Sequence, residues 1–232
     1  MIKAIIFDMF ETLITHYESP LYFGSQMAAD AGVPEEDFIR VWRQTEDDRT
    51  IGKLTLEQAI ELVLKKNNRY SEEILNTIVS KREATKIECF KHLHLEIIPM
   101  LDEIKKQGLK IGLISNCFSE EAKVIRNSIL FPYFDATYLS FEQGIQKPDE
   151  EIFLRCMNEL QVSADECLYV GDGGSFELET AAKLGMKTLQ AVWYLKEEST
   201  QPAWRKNEFV QVETPMELVQ HISEVEYEIY NK

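Results

Sequence analysis

The amino-acid sequence predicts an α/β protein with a doubly wound parallel sheet and a helical segment inserted after the first strand. Residues 2–7 form a short apolar run, typical of a strand that is buried on both faces. Residues 15–88 show helical patterns without obvious strands. After Pro99, strand-like runs alternate with helical segments, which indicates a Rossmann-like sheet of parallel strands.

The elements of the predicted core follow one another without a low-complexity linker. Residues 99–108 predict a helix that a proline opens and Gly108 closes. Further strands are predicted at 110–115, 136–140, 167–171 and 187–192, and further helices at 119–130, 148–160 and 175–185. We therefore assign residues 1–14 and 89–232 to a Rossmann-like core.

The inserted segment, residues 15–88, is expected to form a helical cap domain. Thr55 and Gln58 form a capping box at the start of one helix, because a threonine and a glutamine at this spacing can cap each other's backbone N–H groups. The residues that follow place an apolar stripe on one face of that helix: Leu56, Ala59, Ile60 and Val63.

Charge and hydropathy exclude several classes of partner. The chain has 25 Lys and Arg against 40 Asp and Glu, a formal charge of −15, whereas nucleic-acid binding needs clustered cations. No apolar run approaches the roughly 20 residues that span a bilayer, and no signal peptide precedes the first strand. We therefore expect a cytoplasmic protein that binds neither nucleic acid nor membrane. The sequence does not predict its oligomeric state.

Polar residues stand at the ends of four predicted core strands. The first strand ends in Asp8, the second in Ser115 and Asn116, the third leads to Lys147, and the fourth ends before Asp172. Each alone is an ordinary turn residue. Because ligands of open parallel sheets bind beyond the carboxyl ends of the strands, all four together predict one site.

This set of residues favours a specific chemistry. Asp8 and Asp172 repel each other unless a divalent cation or a lysine neutralises them. Magnesium prefers one or two carboxylates together with the phosphate oxygens of a substrate. In that setting Asp8 can attack a phosphorus or carbon centre and form a covalent intermediate. Ser115 and nearby backbone N–H groups would hold the oxygens of the transferred group.

Four motifs resemble those of the haloacid dehalogenase (HAD) superfamily of hydrolases, in that family's order and over essentially the whole chain. They read FDMFETL, LISN, KPDEEIF and VGDGGSFELETAAKLGM. Together they are specific, although each alone is weak. The resemblance implies a Rossmann-like core covered by a cap that is inserted after the first strand.

The resemblance also implies a role for each matching residue. Asp8 is the expected nucleophile and Thr12 orients it, while Ser115 binds the transferred group and Lys147 offsets negative charge. Magnesium is expected on the Asp8 side chain, the Phe10 carbonyl and Asp172, with Glu177 as a further ligand or as a neighbour of one. Asn116 is expected to contact the substrate.

Position 10 departs from the pattern of the family's phosphatases. These usually carry a second aspartate there, which protonates the leaving oxygen and then activates water. Phe10 cannot move a proton, and general acid–base help is worth ~10²–10⁴ in rate. Either the leaving group needs no proton, or another residue supplies one, or the chain is a weak catalyst.

The dehalogenase branch of the family also lacks that aspartate. In addition, Trp42-Arg43-Gln44 resembles a dehalogenase segment whose arginine receives the halide. Those enzymes work without metal, however, so Asp172 would be a costly uncompensated charge and Glu177 would have to activate water. Position 10 favours a dehalogenase, whereas Asp172 favours a phosphatase.

We give more weight to the carboxylate at position 172. The leading hypothesis is a magnesium-dependent phosphatase for a small phosphorylated metabolite, with a preference for acyl or aryl over alkyl phosphates. A metal-independent 2-haloacid dehalogenase and a catalytically weak member that binds a phosphorylated ligand are the alternatives. Four cations of the insertion are candidates for touching an anionic substrate: Arg40, Arg43, Arg49 and Lys53.

Overall fold

The computed structural model describes residues 1–196, 201 and 203–230, and of 223–230 it describes the backbone alone. Among these residues six strands form one parallel sheet: β1 (Ala4–Phe7), β2 (Lys110–Ser115), β3 (Ala136–Leu139), β4 (Cys167–Gly171), β5 (Lys187–Ala191) and β6 (Val210–Val212). Their order is β3-β2-β1-β4-β5-β6, the order of a Rossmann sheet. This confirms the predicted fold class.

The described helices lie in two groups along the chain. Five lie between residues 24 and 89: α1 (Gly24–Ala31), α2 (Glu35–Gln44), α3 (Glu46–Thr50), α4 (Leu56–Lys66) and α5 (Glu72–Cys89). The others accompany the sheet: α6 (Ile97–Lys106), α7 (Ser119–Arg126), α8 (Ser140–Gln143), α9 (Glu150–Leu160), α10 (Glu177–Lys183) and α11 (Pro215–Tyr230). Within the described ranges, no helix is long and apolar enough to cross a bilayer.

The central strand β1 is apolar on both sides because helices cover both faces of the sheet. Ile5 and Phe7 belong to one apolar cluster, and Ala4 and Ile6 belong to another. Successive side chains of a strand point to opposite faces, so the four-residue run serves both clusters. This packing fixes the position of Asp8, the next residue.

Helices α1, α2, α4 and α5 have an apolar cluster of their own, built around buried side chains such as Met27, Phe38, Ile60 and Ile78. The predicted capping box is confirmed at the start of α4. Gln58 N donates to Thr55 Oγ1 at 3.4 Å, and Thr55 N donates to Gln58 Oε1 at 2.9 Å. The exact division into core and cap at residues 14 and 89 stays a prediction.

Some element boundaries differ from the predictions. Helix α6 begins at Ile97, so Pro99 lies within its first turn instead of opening it. Helices α7 and α9 are shorter than expected, and the edge strand β6 was not predicted. Strand β6 has only three residues, too few for an alternating pattern to stand out from a loop.

Buried ion pairs join the inserted helices to the core. Arg82 on α5 lies with its Nε 3.0 Å from Glu120 Oε1 on α7, and also donates to Tyr22 O at 2.9 Å. One turn further along α5, Lys86 Nζ lies 2.6 Å from Glu121 Oε1. All four charged side chains are buried. A buried ion pair stabilises little as a whole, but the loss of one partner leaves an uncompensated charge.

Arg82→Met should therefore lower the free energy of unfolding by about 3–5 kcal/mol, measured by urea titration. The double variant Arg82→Met/Glu120→Leu should lose less, because it removes both charges. Lys123→Met is the matched control: Lys123 pairs with Glu83 at 2.9 Å, but 69% of its side chain is exposed. Its loss should stay below about 1 kcal/mol. Equal losses in Arg82→Met and Lys123→Met would contradict this account.

Candidate active site

Asp8 and Asp172 lie side by side because the strands before them are neighbours. Strands β1 and β4 are paired with Phe7 opposite Val170, and Asp8 N donates to Val170 O at 2.9 Å. Glu177, the first residue of α10, brings a third carboxylate to the same place. Oxygens of the three carboxylates lie within 4.8 Å of one another, and all three residues are buried.

Lys147 supplies a positive charge to this cluster. Its Nζ lies 2.6 Å from Asp8 Oδ1 and 3.5 Å from Tyr169 Oη, and the side chain is buried. Asn116 fixes the lysine's backbone: Lys147 N donates to Asn116 Oδ1 at 2.8 Å, and Asn116 Nδ2 donates to Lys147 O at 2.9 Å. Both ends of the Asn116 amide are therefore engaged with the backbone of Lys147.

The loop after β4 is shaped around Glu177. Gly173 N donates to Glu177 Oε1 at 2.7 Å, and Ser175 N donates to Glu177 Oε2 at 2.7 Å. Gly173 has a φ of +91°, and a Cβ there would lie 3.0 Å from Cε of Lys206. The left-handed φ favours glycine at 173, and a Cβ there would also crowd the side chain of Lys206.

Two side chains from the segment that begins with β5 bind backbone carbonyls in the loops that follow β1 and β4. Gln190 Nε2 on β5 donates to the Asp172 carbonyl at 2.8 Å. Trp193 Nε1 donates to the Thr12 carbonyl at 2.8 Å. Neither residue belongs to a motif that was recognised in the sequence.

The electrostatics of the cluster call for a cation. Burial raises the pKa of Asp8 to about 6, against the opposing charge of Lys147 and with the added repulsion of Glu177. Burial, followed by the charges of Glu177 and Asp8, raises the pKa of Asp172 well above its ordinary value. Three carboxylates face one ammonium here, so a divalent cation would offset the excess negative charge. Carboxylate oxygens are ligands that Mg²⁺ accepts, so the residues fit this ion.

The hydroxyls of Thr12 and Ser115 have few partners. Thr12 Oγ1 is buried and has no hydrogen-bond partner among the described residues. Ser115 ends β2 fully buried, and its Oγ makes a long contact of 3.4 Å to Asn116 O. The roles predicted for these hydroxyls, and for the Phe10 carbonyl as a metal ligand, stay predictions.

A cavity of about 540 Å³ opens above the carboxylates, between the strand ends and the inserted helices. It contains the predicted residues Asp8, Phe10, Asn116, Lys147 and Asp172 in its wall. Arg43 also lines it. The wall includes residues that the sequence did not single out, among them Glu11, His16, Tyr17, Glu46, Asp47, Phe118 and Glu121. Glu11 lies within the motif FDMFETL, but no motif marks the others, which come together only where the insertion packs against the core.

The other three candidate cations do not line the cavity. Arg40 pairs with Asp37 at 2.7 Å and Lys53 lies 3.5 Å from Asp48, and all four side chains are substantially exposed. Arg49 is buried, with its guanidinium over the ring of Trp42. Arg49 is absent from the cavity wall because its guanidinium is stacked on aromatic rings in the interior.

Comparison with known proteins identifies the class. Residues 2–185 match the family of haloacid dehalogenase-like hydrolases, and the chain belongs to this family. It is 28% identical over 202 residues to a glyceraldehyde 3-phosphate phosphatase of Methanocaldococcus jannaschii, covering 82% of this chain and 85% of that protein. It is 25% identical over 207 residues to the protein of that name from Methanopyrus kandleri, covering 82% and 84%.

Solved structures share the fold. A 2-haloacid dehalogenase from Pseudomonas syringae pv. Tomato superposes with a TM-score of 0.70 at 20% identity, covering 97% of this chain and 99% of that one. A HAD family enzyme from Bacteroides thetaiotaomicron, crystallised with magnesium and inorganic phosphate, superposes with a TM-score of 0.61 at 16% identity, covering 86% and 98%. At these identities the likeness establishes the fold alone.

Asp172→Asn should stabilise the metal-free protein at pH 8. A carboxyl whose pKa is raised by folding opposes folding above its unfolded pKa, and asparagine removes that penalty. The difference in melting temperature between the variant and wild type should shrink as the pH falls. Asp8 takes up a proton at about pH 6, which removes part of the repulsion on Asp172, and near pH 4 the Asp172 carboxyl is protonated in the unfolded chain as well. Added Mg²⁺ should raise the melting temperature of wild type but not of the variant.

Asp37→Asn, on the outside of α2, is the control for this measurement and should respond to Mg²⁺ as wild type does. A metal-free Asp172→Asn protein that is less stable than wild type at pH 8 would show that the carboxylates do not repel one another as described.

Proposed function

We propose that this hydrolase is a magnesium-dependent phosphatase that uses Asp8 as its nucleophile on a small phosphorylated metabolite. The observation that carries the proposal is the buried group of Asp8, Asp172 and Glu177, whose oxygens lie within 4.8 Å of one another beside Lys147. A site for a halide alone would have no use for so much buried negative charge. The relatives named as phosphatases, and the fold neighbour crystallised with magnesium and phosphate, support the same reading.

The residues divide the reaction among them. Asp8 Oδ attacks phosphorus, the bond from phosphorus to the leaving oxygen breaks, and an aspartyl-phosphate forms that water later hydrolyses. Lys147 holds the Asp8 carboxylate in place and balances its charge. Ser115 is available to the phosphoryl oxygens, and the Thr12 hydroxyl, which has no hydrogen-bond partner among the described residues, is available to orient Asp8. Asp8, Asp172 and Glu177, with the Phe10 carbonyl, would hold magnesium, which when bound supplies positive charge to the transferred phosphoryl group.

The leaving group departs without a proton from position 10, because Phe10 has none to give. The oxygen must then leave as a stable anion, which acyl and aryl phosphates provide and alkyl phosphates do not. Arg43 is the cation that the insertion contributes to the cavity wall, and we assign it to substrate binding.

Wild-type protein with Mg²⁺ should release inorganic phosphate from acetyl phosphate and 4-nitrophenyl phosphate, and more slowly from glycerol phosphate by about 10²–10⁴-fold. Asp8→Asn should lose more than about 10³-fold in kcat because the nucleophile is removed. EDTA should abolish turnover. The control is Asp165→Asn, which changes an exposed carboxylate just before β4, at the end of the strands opposite the site. This variant should retain activity. Unchanged release by Asp8→Asn would refute the proposal.

A dehalogenase remains the second candidate, since Phe10 lacks an acid and Arg43 lines the cavity. It would release chloride from 2-chloropropionate in the presence of EDTA and lose that activity in Arg43→Ala. The third candidate, a weak catalyst that binds a phosphorylated ligand, would gain phosphatase activity only in Phe10→Asp.

A further inference from the structure

The ring of Phe10 forms part of the cavity wall and is held in place by a second ring. Phe10 is half-buried and lines the cavity that contains Asp8. It stacks on His16 with ring centroids 4.6 Å apart and an interplanar angle of 13°. Stacked rings of this kind stabilise each other's orientation. The position that carries an acid in related phosphatases thus presents a fixed aromatic surface.

Both ring nitrogens of His16 contact neighbouring side chains of the protein, so the ring carbons are the part of His16 that is left for the cavity wall. Nδ1 lies 3.4 Å from Glu11 Oε1, and Nε2 lies 2.6 Å from Lys86 Nζ. Neither nitrogen is left to serve a substrate. The Phe10–His16 pair is therefore an apolar surface next to the nucleophile.

A second ring in the wall comes from the core. Phe118 precedes α7 and lines the same cavity. The guanidinium of Arg49 lies 4.1 Å from the centroid of Phe118 and 3.6 Å from that of Trp42. This stack fixes the Phe118 ring in advance of binding, which lowers the entropy cost of holding a ligand against it.

The remaining wall disfavours a second negative charge on the substrate. Glu46 and Asp47 line the cavity from α3, and Arg43 is the cation that the insertion places there. A flat leaving group that carries no charge of its own in the bound substrate suits fixed rings and carboxylates better than a carboxylate or a second phosphate does.

We propose that the leaving group is an aromatic ring, so that the substrates are aryl phosphate monoesters. The inference rests on the proposed phosphatase function and selects aryl over acyl phosphates within it. The phosphorus–oxygen bond to the ring breaks as the bond from Asp8 to phosphorus forms. The ring oxygen leaves with the electron pair as a phenolate, which takes its proton from water.

Phe10→Leu tests this directly, because it removes the ring and keeps an apolar side chain and the backbone carbonyl. In the presence of Mg²⁺ it should raise KM for 4-nitrophenyl phosphate by about 3- to 10-fold and leave KM for acetyl phosphate within about 2-fold. Phe10→Tyr, which retains a ring, should keep the ratio of the two KM values closer to that of wild type than Phe10→Leu does. Phe23→Leu is the matched control, since Phe23 packs edge-on to His16 at 5.9 Å without lining the cavity.

If Phe10→Leu changes KM for both substrates equally, the ring does not recognise the leaving group, and the aryl assignment is overturned while the phosphatase stands. If wild type hydrolyses neither substrate, the phosphatase function itself fails and this assignment with it. Should Phe10→Leu melt at a much lower temperature, Phe118→Leu provides the same comparison from the other ring. An equal change for both substrates there overturns the assignment as well.

Discussion

Burying three carboxylates within 4.8 Å of one another, beside the ammonium of Lys147, is the constraint on which the rest of the molecule depends. Such a cluster is unfavourable unless a cation and fixed hydrogen bonds compensate it. The surrounding structure provides the hydrogen bonds: backbone N–H groups of the loop after β4 serve Glu177, and Asn116 holds the backbone of Lys147. The pairing of β1 with β4 then keeps Asp8 and Asp172 at a fixed separation. The folded structure thus keeps together three carboxylates that would repel one another and move apart in the unfolded chain.

Much of the sheet was predictable because each of its central strands is a short apolar run between polar turns. The predicted bounds of β2 and β4 agree with the structure, since their residues are buried and their ends carry polar side chains. Strand β6 escaped prediction because it has three residues at the edge of the sheet, with an exposed Val210. The start of α6 was placed at Pro99 instead of Ile97, because a proline is tolerated anywhere in the first turn of a helix.

The site was predictable where strand ends meet, and at Glu177 and Arg43 through the resemblance to the family. Asp8, Ser115 and Asp172 follow directly from that geometry, and Lys147 follows from its place after β3. His16, Phe118 and Lys86 could not be found in this way, since their meeting depends on how the insertion packs against α7. Arg49 shows the limit most clearly: its type suggested contact with an anion, whereas the structure uses its flat guanidinium to support two rings. Residue type indicates what a side chain can do, and only tertiary packing decides which option is realised.

The two ties from Gln190 and Trp193 have a consequence for how the boundaries of this enzyme are drawn. Every residue that resembles a family motif lies before position 187, yet the amide of Gln190 and the indole of Trp193 hold the main chain at Asp172 and Thr12 from beyond that point. A polypeptide ending at 186 would keep a full set of signature residues while losing two of the braces that align them. Redesign by grafting, splitting or circular permutation should therefore retain the residues after 186 together with the site.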